Sequence, residues 1–436
     1  MTMNLHTILK SVEKPGRYTG GEWGQTIKDK NAVDVRFAFC FPDNYEIGMS
    51  NLGIRILYGV LNNEENVWCE RAYAPWPDME EKMREYGIPL YAHESGDPLS
   101  DFDIVGFTLQ YELCYTNVLN MLELGGIPLL ASERGENDPI IIGGGPCAYN
   151  AEPIADFFDV LDIGEGEEML PRFTRMYAKM KREGASRAEI LRATSHLDGF
   201  YVPALYEVEY GADGTISSFE PKYDDIPRTV QKQIIADLDS VYFPDKFVMP
   251  YIETVHDRIV PEVYRGCIRG CRFCQAGMIY RPVREKSPDV LDAQCRRLYE
   301  NTGFDEISLC SLSISDYSRL GELTDKLLSW TDDKKVSLSL PSLRVDSFTK
   351  ELMEKISTVR TSGITFAPEA GTQRMRDVIN KNVHEEELLR ACANAFECGK
   401  NQVKLYFMDG LPTETREDVE GIAKLAKTVV DSYYSN

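Results

Sequence analysis

The stretch YRGCIRGCRFCQAG, Tyr264–Gly277, carries three cysteines of a 436-residue chain within eight positions. The other eight of the eleven cysteines are scattered along the sequence. Cys267, Cys271 and Cys274 have the spacing C-x3-C-x2-C, which is short enough for one loop to bring three thiolates to one site. Such crowding indicates a metal-binding or catalytic site rather than ordinary core packing.

The composition indicates a globular protein, with 43% apolar and 27% charged residues. No apolar stretch approaches the ~20 residues that cross a bilayer, and MTMNLHTILKSVEK lacks the apolar centre of a signal peptide. We therefore predict a cytoplasmic protein that does not enter the membrane, in which a disulfide framework is not expected. The formal charge of −22 disfavours nucleic acid as a partner.

One marked basic patch interrupts this acidic chain. It comprises RGCIRGCR and the following RPVREK, Arg281–Lys286. The patch is either a solvated loop or a positive environment for an anionic cluster or a carboxylate ligand. The adjacent cysteines favour the second interpretation.

The chain is long enough for two or three domains. Residues 1–30 contain the turn-rich KPGRYTGGEWG and are predicted to be an extension packed on a neighbouring domain. Strands alternate with helices over residues 31–183, which predicts a parallel sheet with helices on its faces. A helix and a period-two hairpin over residues 184–255 predict a linker, and residues 256–436 form the domain that carries the cysteines.

Strand and helix patterns alternate again after the cysteines. EISLCSLS, KVSLSLPSLR, SGITFAPEA and QVKLYFMDG are predicted as strands two to five, and the segment before Cys267 as strand one. Polar or glycine residues stand at the ends of these strands: Ser311, Ser313, Arg344, Glu369 and Gly410. Since ligands bind at the carboxyl ends of parallel strands, these residues are expected to converge on one site.

Three kinds of metal site can be weighed for the cysteines. A structural zinc site needs four closed ligands, but Cys295 lies in a predicted helix and His256 has no finger-like partner. An electron carrier would close its cluster with a fourth cysteine, which is absent from the motif. Three thiolates suit a 4Fe-4S cluster with one iron open for chemistry.

With Phe273 before the last cysteine, the motif C-x3-C-x-aromatic-C resembles the signature of the radical S-adenosylmethionine (SAM) superfamily. SLSISDY, PSLRVDSF, APEAGTQRMRDVINK and DGLPTETREDVEGI follow the predicted strands in matching order. KPGRY, NLG, GGGP and GEGEE make the chain similar to an uncharacterised bacterial family of the cobalamin-binding type, and the resemblance covers nearly the whole chain.

The resemblance implies a fold of the α/β class in two parts. The first is a Rossmann-like, cobalamin-binding-like domain, and the second is a radical SAM partial (β/α)6 barrel of the TIM type. The superfamily barrel commonly has six strands, whereas this sequence supplies five before its last helix. We therefore expect a truncated barrel that lacks the last strand.

The resemblance also implies the cofactors and the residues that hold them. Cys267, Cys271 and Cys274 would ligate the 4Fe-4S cluster, whose open iron binds SAM. Further roles around SAM follow from the matching segments: Phe273 near the adenine, Ser311 and Ser313 toward the amino group, Arg344 toward the carboxylate, Glu369 toward the ribose, and Gly410, Leu411 and Pro412 along the adenine. The acidic residue common at the end of strand two is replaced by serines here.

The first domain departs from the cobalamin motif Asp-x-His-x-x-Gly. Asp43 and Gly48 fit the spacing, but Tyr45 stands at the histidine position. A phenol with a pKa near ~10 is a poor cobalt ligand at neutral pH. Either cobalamin binds without a histidine ligand, or the domain kept the fold and lost the cofactor. Gly143, Gly144 and Gly145 allow close backbone approach to a flat ligand.

These expectations together describe a radical SAM enzyme. It would cleave SAM reductively to a 5′-deoxyadenosyl radical, with cobalamin-dependent methyl transfer as an extension. A reductant such as flavodoxin or ferredoxin would supply the electron, and the substrate would be a peptide, a protein or a small metabolite. The alternatives are a metal-stabilised scaffold, holding zinc or an iron–sulfur cluster without SAM chemistry, and an electron carrier.

Overall fold

The computed structural model describes residues 5–341, 344–345 and 364–435. The chain divides into two compact units. The first comprises Met1–Ile235 and Val241–Asp257, and the second comprises Ala236–Ser240 and Arg258–Asn436. No helix in the described ranges is both long and apolar enough to span a membrane.

A six-stranded sheet forms the centre of the first unit. Its strands are β1 (Val35–Phe41), β2 (Val67–Tyr73), β3 (Ile104–Thr108), β4 (Ile140–Gly144), β5 (Val160–Asp162) and β6 (Phe200–Tyr201). The strand order is β2-β1-β3-β4-β5-β6, in which the first five strands are parallel and β6 is antiparallel to β5. This is a doubly wound order that reverses between β1 and β3. The predicted α/β class is confirmed.

Helices and core residues cover both faces of this sheet. The helices of the first unit are α1 (Leu5–Ile8), α2 (Tyr45–Gly48), α3 (Leu52–Asn63), α4 (Pro77–Tyr86), α5 (Tyr115–Leu124), α6 (Gly166–Arg182) and α7 (Arg187–Thr194). Along β1, Phe37 and Phe39 enter one core layer, whereas Ala38 and Cys40 enter the other. The alternation follows from the two-residue period of a strand, and it explains why β1 is apolar at nearly every position.

Residues 184–235 belong to the first unit. The short strand β6 is hydrogen-bonded to β5, so the chain returns to the sheet after α7. The hairpin follows as β7 (Tyr206–Tyr210) and β8 (Ile216–Pro221), paired antiparallel around the Gly-Ala-Asp-Gly turn. The segment predicted as a linker is therefore partly joined to the sheet.

The second unit contains short strands and the helices that follow them. Its strands are β9 (Tyr264–Arg265), β10 (Arg284–Glu285), β11 (Glu306–Ser308), β12 (Ser337–Ser339), β13 (Ile364–Glu369) and β14 (Val403–Phe407). Its helices are α8 (Ala276–Ile279), α9 (Pro288–Thr302), α10 (Leu320–Lys334), α11 (Gln373–Val378), α12 (Glu385–Glu397) and α13 (Arg416–Ser435). Part of PSLRVDSF, including Ser342 and Leu343, and the helix predicted after it lie outside the described residues.

Apart from the short β9–β10 ribbon, the strand pairings in the described part of the second unit are parallel. Ile259 and Glu262, in the segment before the cysteines, bridge in parallel to Ile307 and Cys310. Strand β11 pairs with β12, and β13 pairs with β14. Parallel pairs separated by helices place the carboxyl ends of the strands at one edge, as a (β/α) domain requires.

The turn-rich N-terminal segment is held on the first unit by buried charges. The Tyr45 hydroxyl donates a hydrogen bond of 2.9 Å to Glu22, and the Arg71 guanidinium lies 3.0 Å from the same carboxylate. Burial alone would raise the pKa of Glu22, but hydrogen bonding to His93 and the charge of Arg71 outweigh it and hold that pKa well below its usual range. The ionised Glu22 therefore stabilises the folded state.

We expect Glu22→Gln to lower the free energy of unfolding at pH 7 by about 3 kcal/mol, because Arg71 loses one of its buried carboxylate partners. The folded pKa of Glu22 lies below the unfolded one, so its contribution is complete above the unfolded value near ~4.5 and is lost as pH falls through the folded pKa. Urea unfolding at several pH values, followed by tryptophan fluorescence, should show the two proteins converging in acid. A difference that does not change with pH would contradict this account.

Candidate functional site

The three cysteines lie in a loop that a short ribbon closes at its base. Strands β9 and β10 pair antiparallel, Arg265 with Arg284 and Tyr264 with Glu285. Gly266 begins the loop with φ +89°, a left-handed conformation that favours glycine. A Cβ there would lie 2.8 Å from the Tyr280 carbonyl oxygen and 2.7 Å from that of Pro282. The close approach of these carbonyl oxygens to Gly266 therefore fixes the direction in which the loop leaves β9.

All three thiols are free and half-buried. The backbone N–H of Arg269 donates to Cys267 Sγ at 3.4 Å, and the N–H of Gly277 donates to Cys274 Sγ at 3.3 Å. Burial raises the pKa of the Cys271 thiol, although the positive charges of Lys381 and Arg344 act in the opposite direction. The loop therefore presents sulfur atoms that already accept backbone hydrogen bonds, as the sulfurs of iron–sulfur proteins do.

These thiols open into a pocket of about 390 Å³. The pocket is lined by the loop and by residues at the strand ends: Cys267, Arg269, Cys271, Phe273, Cys274, Leu312, Ser313, Arg344, Val345, Thr365, Ala367, Glu369, Lys381, Val383 and Tyr406. The structure thus brings together the three cysteines with four other predicted site residues, Phe273, Ser313, Arg344 and Glu369. The volume of the pocket is that of an ordinary small-molecule site.

The segment after β11, which is the predicted strand two of the second domain, carries an acidic residue that sequence reasoning missed. The Ser313 hydroxyl donates to Asp316 at 2.8 Å, and the Arg269 guanidinium binds the same carboxylate through two hydrogen bonds of 2.9 and 2.5 Å. Burial would raise the pKa of Asp316, but the hydrogen bonds from Arg269 and Ser313 outweigh it and lower that pKa. Asp316 therefore joins the cysteine loop to the segment that follows β11. Ser311 is not among the residues that line the pocket.

Glu369 ends β13 beside a lysine that sequence reasoning also missed. Its backbone has φ +68°, a left-handed conformation that costs a glutamate energy. Lys381 Nζ lies 3.0 Å from the Glu369 carboxylate and 5.9 Å from the centre of the Phe273 ring. Both partners of this ion pair are about 15% exposed, so it is largely shielded from water. Three residues from three separate elements therefore meet at one wall of the pocket.

The Arg344 backbone N–H donates to the Ser315 hydroxyl at 2.7 Å, and the Arg344 guanidinium donates to the Asn382 carbonyl oxygen at 3.3 Å. These contacts hold Arg344 beside the segment that follows β11 and beside the segment that carries Lys381.

Gly410, Leu411 and Pro412 follow β14 without lining the pocket. Gly410 has φ +81°, and its N–H donates to the Glu414 carboxylate at 2.6 Å. Leu411 packs against a small cluster that contains Met375 and Ile379. The segment is therefore placed near the strand ends by the pairing of β14 with β13, and its role toward a ligand stays a prediction.

The residues of the pocket fit a three-thiolate cluster. Within the described residues, no group of three or more His, Cys, Asp or Glu side chains is arranged to hold a single metal ion. A four-iron cluster is a wider body than one ion, so its thiolates need not converge on one point. Three half-buried thiols line the pocket, and two of them accept backbone hydrogen bonds, which matches that donor set.

Two of the predicted cobalamin residues, Tyr45 and Gly48, are packed inside the first unit. Tyr45 is only 1% exposed, and its ring stacks on His93 with 5.8 Å between the ring centres. Burial and the adjacent Glu22 carboxylate raise the pKa of Tyr45. A Cβ on Gly48 would lie 2.3 Å from the Tyr73 ring. The phenol at the expected histidine position therefore serves the core of the unit.

Asp43 and the three glycines stand at the carboxyl edge of the sheet. Asp43 accepts a hydrogen bond from the Tyr111 hydroxyl, which brings the ends of β1 and β3 together where the strand order reverses. Gly143 and Gly144 end β4, and Gly145 follows with φ +107°. Beside them, Asp162 ends β5, and burial raises the pKa of its carboxyl to about 7.

Two family models match the chain. Residues 53–203 match the model for the N-terminal part of radical SAM proteins, and residues 262–426 match the model for the radical SAM superfamily. The second match contains all three cysteines. The chain belongs to the radical SAM superfamily and is an enzyme of that class.

The chain is also similar to other proteins over most of its length. An uncharacterized protein of Methanocaldococcus jannaschii is 29% identical over 90% of this radical SAM chain and 73% of its own length. The radical SAM methyltransferase TsrM of Kitasatospora setae, solved with cobalamin and a [4Fe-4S] cluster, gives a TM-score of 0.59 at 12% identity, covering 91% of this chain and 70% of its own.

The cobalamin-dependent SAM radical enzyme OxsB, solved with aqua-cobalamin and SAM, gives a TM-score of 0.51 at 13% identity, covering 90% of this chain and 51% of its own. At such low identity, the two structural likenesses show a shared fold. They confirm the expected fold class of a Rossmann-like domain plus a radical SAM domain.

Gly266→Ala is expected to destabilise the second unit by about 3 kcal/mol, because a side chain there adds a backbone clash to the cost of a left-handed conformation. Gly303→Ala is the matched control, since Gly303 has φ +72° with no atom within 4 Å of its Cβ position. The control should cost about 1 kcal/mol. Scanning calorimetry of the full chain measures both, and equal losses would contradict the close approach at Gly266.

Proposed function

We propose that this protein binds a 4Fe-4S cluster through Cys267, Cys271 and Cys274 and binds SAM in the adjoining pocket. The observation that carries this proposal is that three free thiols and the strand-end side chains line the same pocket. With both groups bound, one electron from a reductant such as flavodoxin or ferredoxin would split SAM into methionine and a 5′-deoxyadenosyl radical, which would abstract hydrogen from a substrate.

The protein's own residues orient the ligand. Glu369, fixed by Lys381, offers a carboxylate to the ribose hydroxyls of SAM. Arg344 directs its positive charge toward the methionine carboxylate, and Phe273 packs near the adenine. Ser313 is committed to Asp316, so the pair acts as a unit at the amino group, with Asp316 supplying the negative charge that the serines lack. Ser311, Gly410, Leu411 and Pro412 complete the predicted set from outside the observed pocket lining.

Cobalamin in the first unit is a further part of the proposal. The fold shared with TsrM and OxsB supports it, whereas the buried Tyr45 does not fit a cobalt ligand. We propose that cobalamin binds, without a ligand from Tyr45, at the sheet edge that carries Asp43 and Gly143–Gly145. Methyl transfer to a peptide, a protein or a small metabolite is the reaction class that such a cofactor set serves.

Anaerobic reconstitution tests the cluster. The wild-type chain should hold about four irons, show the brown colour of an iron–sulfur protein, and form 5′-deoxyadenosine from SAM when reduced. Cys271→Ala should lose most of the iron. Cys398→Ala is the control, because Cys398 is a half-buried thiol of the same unit that does not line the pocket. Stoichiometric zinc without iron, or equal iron in both variants, would sink the proposal.

A second experiment tests the Glu369–Lys381 pair. Lys381→Met removes the charge that orients Glu369, so the affinity of the reconstituted protein for SAM should fall about tenfold. Lys381→Arg keeps the charge and should stay within about threefold of the wild type. Isothermal titration with SAM measures both variants at equal iron content. Equal affinity of the methionine variant and the wild type would show that Lys381 does not act through Glu369.

A further inference from the structure

The backbone of the cysteine loop is held by a segment more than a hundred residues away in sequence. The Arg272 N–H donates to the Ile379 carbonyl oxygen at 2.9 Å, and the Arg272 guanidinium donates to the Val378 carbonyl oxygen. Asn380 donates its side-chain amide to the Gly270 carbonyl oxygen at 2.8 Å. These hydrogen bonds bracket Cys271, because they engage the residue on either side of it.

The same segment has an unusual conformation. Asn380 has φ +54° and Asn382 has φ +51°, so Lys381 stands between two left-handed residues. Asparagine tolerates this region better than most residues do, yet two such positions so close together still cost energy. A strained turn persists when the surrounding structure determines it.

Buried residues anchor the segment at both ends. Ile379 is 3% exposed and packs with Ala370 and Met375, whereas Val383 is 1% exposed and belongs to the larger core that contains Phe366. Between these anchors, the Asn380 side chain bonds to the cysteine loop and Lys381 lines the pocket. The turn is therefore fixed by packing that does not depend on a bound ligand.

Gly270 shows how close the two segments come. A Cβ on Gly270 would lie 3.1 Å from the Asn380 side-chain nitrogen, which is tighter than an ordinary van der Waals contact. Glycine at this position lets the asparagine amide reach the loop backbone.

We propose that Ile379–Asn382 is a brace that sets the conformation of the iron-binding loop around Cys271 before any cluster is bound, with Asn380 as its positioning residue. The idea rests on the proposed function for its purpose, since a preset loop lowers the ordering cost of cluster binding. The brace itself is a property of the folded chain and can be measured without iron.

The test compares two glycine variants of the full chain. Asn380→Gly keeps the left-handed backbone but removes the amide that bonds Gly270, whereas Asn382→Gly makes the same change at an exposed position of similar φ. In the iron-free protein, Cys271 should be alkylated about fivefold faster in Asn380→Gly, the effect of losing one hydrogen bond. Asn382→Gly should stay within about twofold of the wild type.

Site-resolved mass spectrometry supplies an internal reference. Cys267 lies outside the braced positions, so the ratio of Cys271 to Cys267 alkylation should rise in Asn380→Gly, whereas general unfolding would expose both thiols. After reconstitution, the same variant should lose iron to a chelator about fivefold faster than the wild type.

The proposal would be overturned if the alkylation rate of Cys271 were unchanged in Asn380→Gly, or if it rose equally in Asn382→Gly. If the wild-type chain retains no iron, the proposed function fails, and the alkylation ratio still decides the brace by itself.

Discussion

The cysteine loop contains little regular secondary structure, so its shape depends on hydrogen bonds from its surroundings. Three constraints supply them: the close approach at Gly266, the ion pair between Arg269 and Asp316, and the contacts of Arg272 and Gly270 with residues 378–380. Each constraint joins the loop to a different part of the second unit. A loop held from several sides can present three thiols in a fixed arrangement at modest entropic cost on binding.

The pocket also shows how local charge departs from net charge. The chain carries a formal charge of −22, yet Arg269, Arg344 and Lys381 line the pocket with a single carboxylate, Glu369, among the described lining residues. Arg269 pairs with Asp316, and Lys381 pairs with Glu369. Partly buried pairs of this kind are screened less than surface charges, so their orientation persists at physiological salt. Cations in this position suit an anionic thiolate site inside an acidic protein.

The sequence was sufficient to predict the cysteine site and the strand ends because both depend on short-range patterns. Three thiols at fixed spacing identify the loop, and alternating strands and helices place Ser313 and Glu369 at one edge. Lys381 and Asn380 could not be found in this way, because they follow α11, where a basic or amide residue is ordinary. Their signal is three-dimensional, since the left-handed backbone of residues 380 and 382 appears only in the fold.

Asp316 was not predicted, although it stands close to the position where the resemblance predicts an acid. The family resemblance predicts an acid at the end of the second barrel strand, where this chain has serines, but Asp316 stands three residues after Ser313 and accepts a hydrogen bond from it. A turn of 3-10 helix over Ile314–Asp316 makes this possible, because its three-residue period returns a side chain to the same face. Local conformation thus brings a carboxylate next to Ser313, although the acid is not at the expected sequence position.

Tyr45 shows the opposite relation between a motif and its environment. The cobalamin spacing marks this residue as a ligand position, but Glu22 from the N-terminal segment and Arg71 from β2 form a buried polar network around it. Exposing the phenol would leave Glu22 with one fewer partner in a buried site, and unsatisfied buried charge is costly. A cobalt ligand at this position would therefore require the KPGRYTGGEWG segment to give up contacts that hold it to the sheet. Glu22, in the same segment that carries the family resemblance, thus helps to hold the residue at the histidine position within the core.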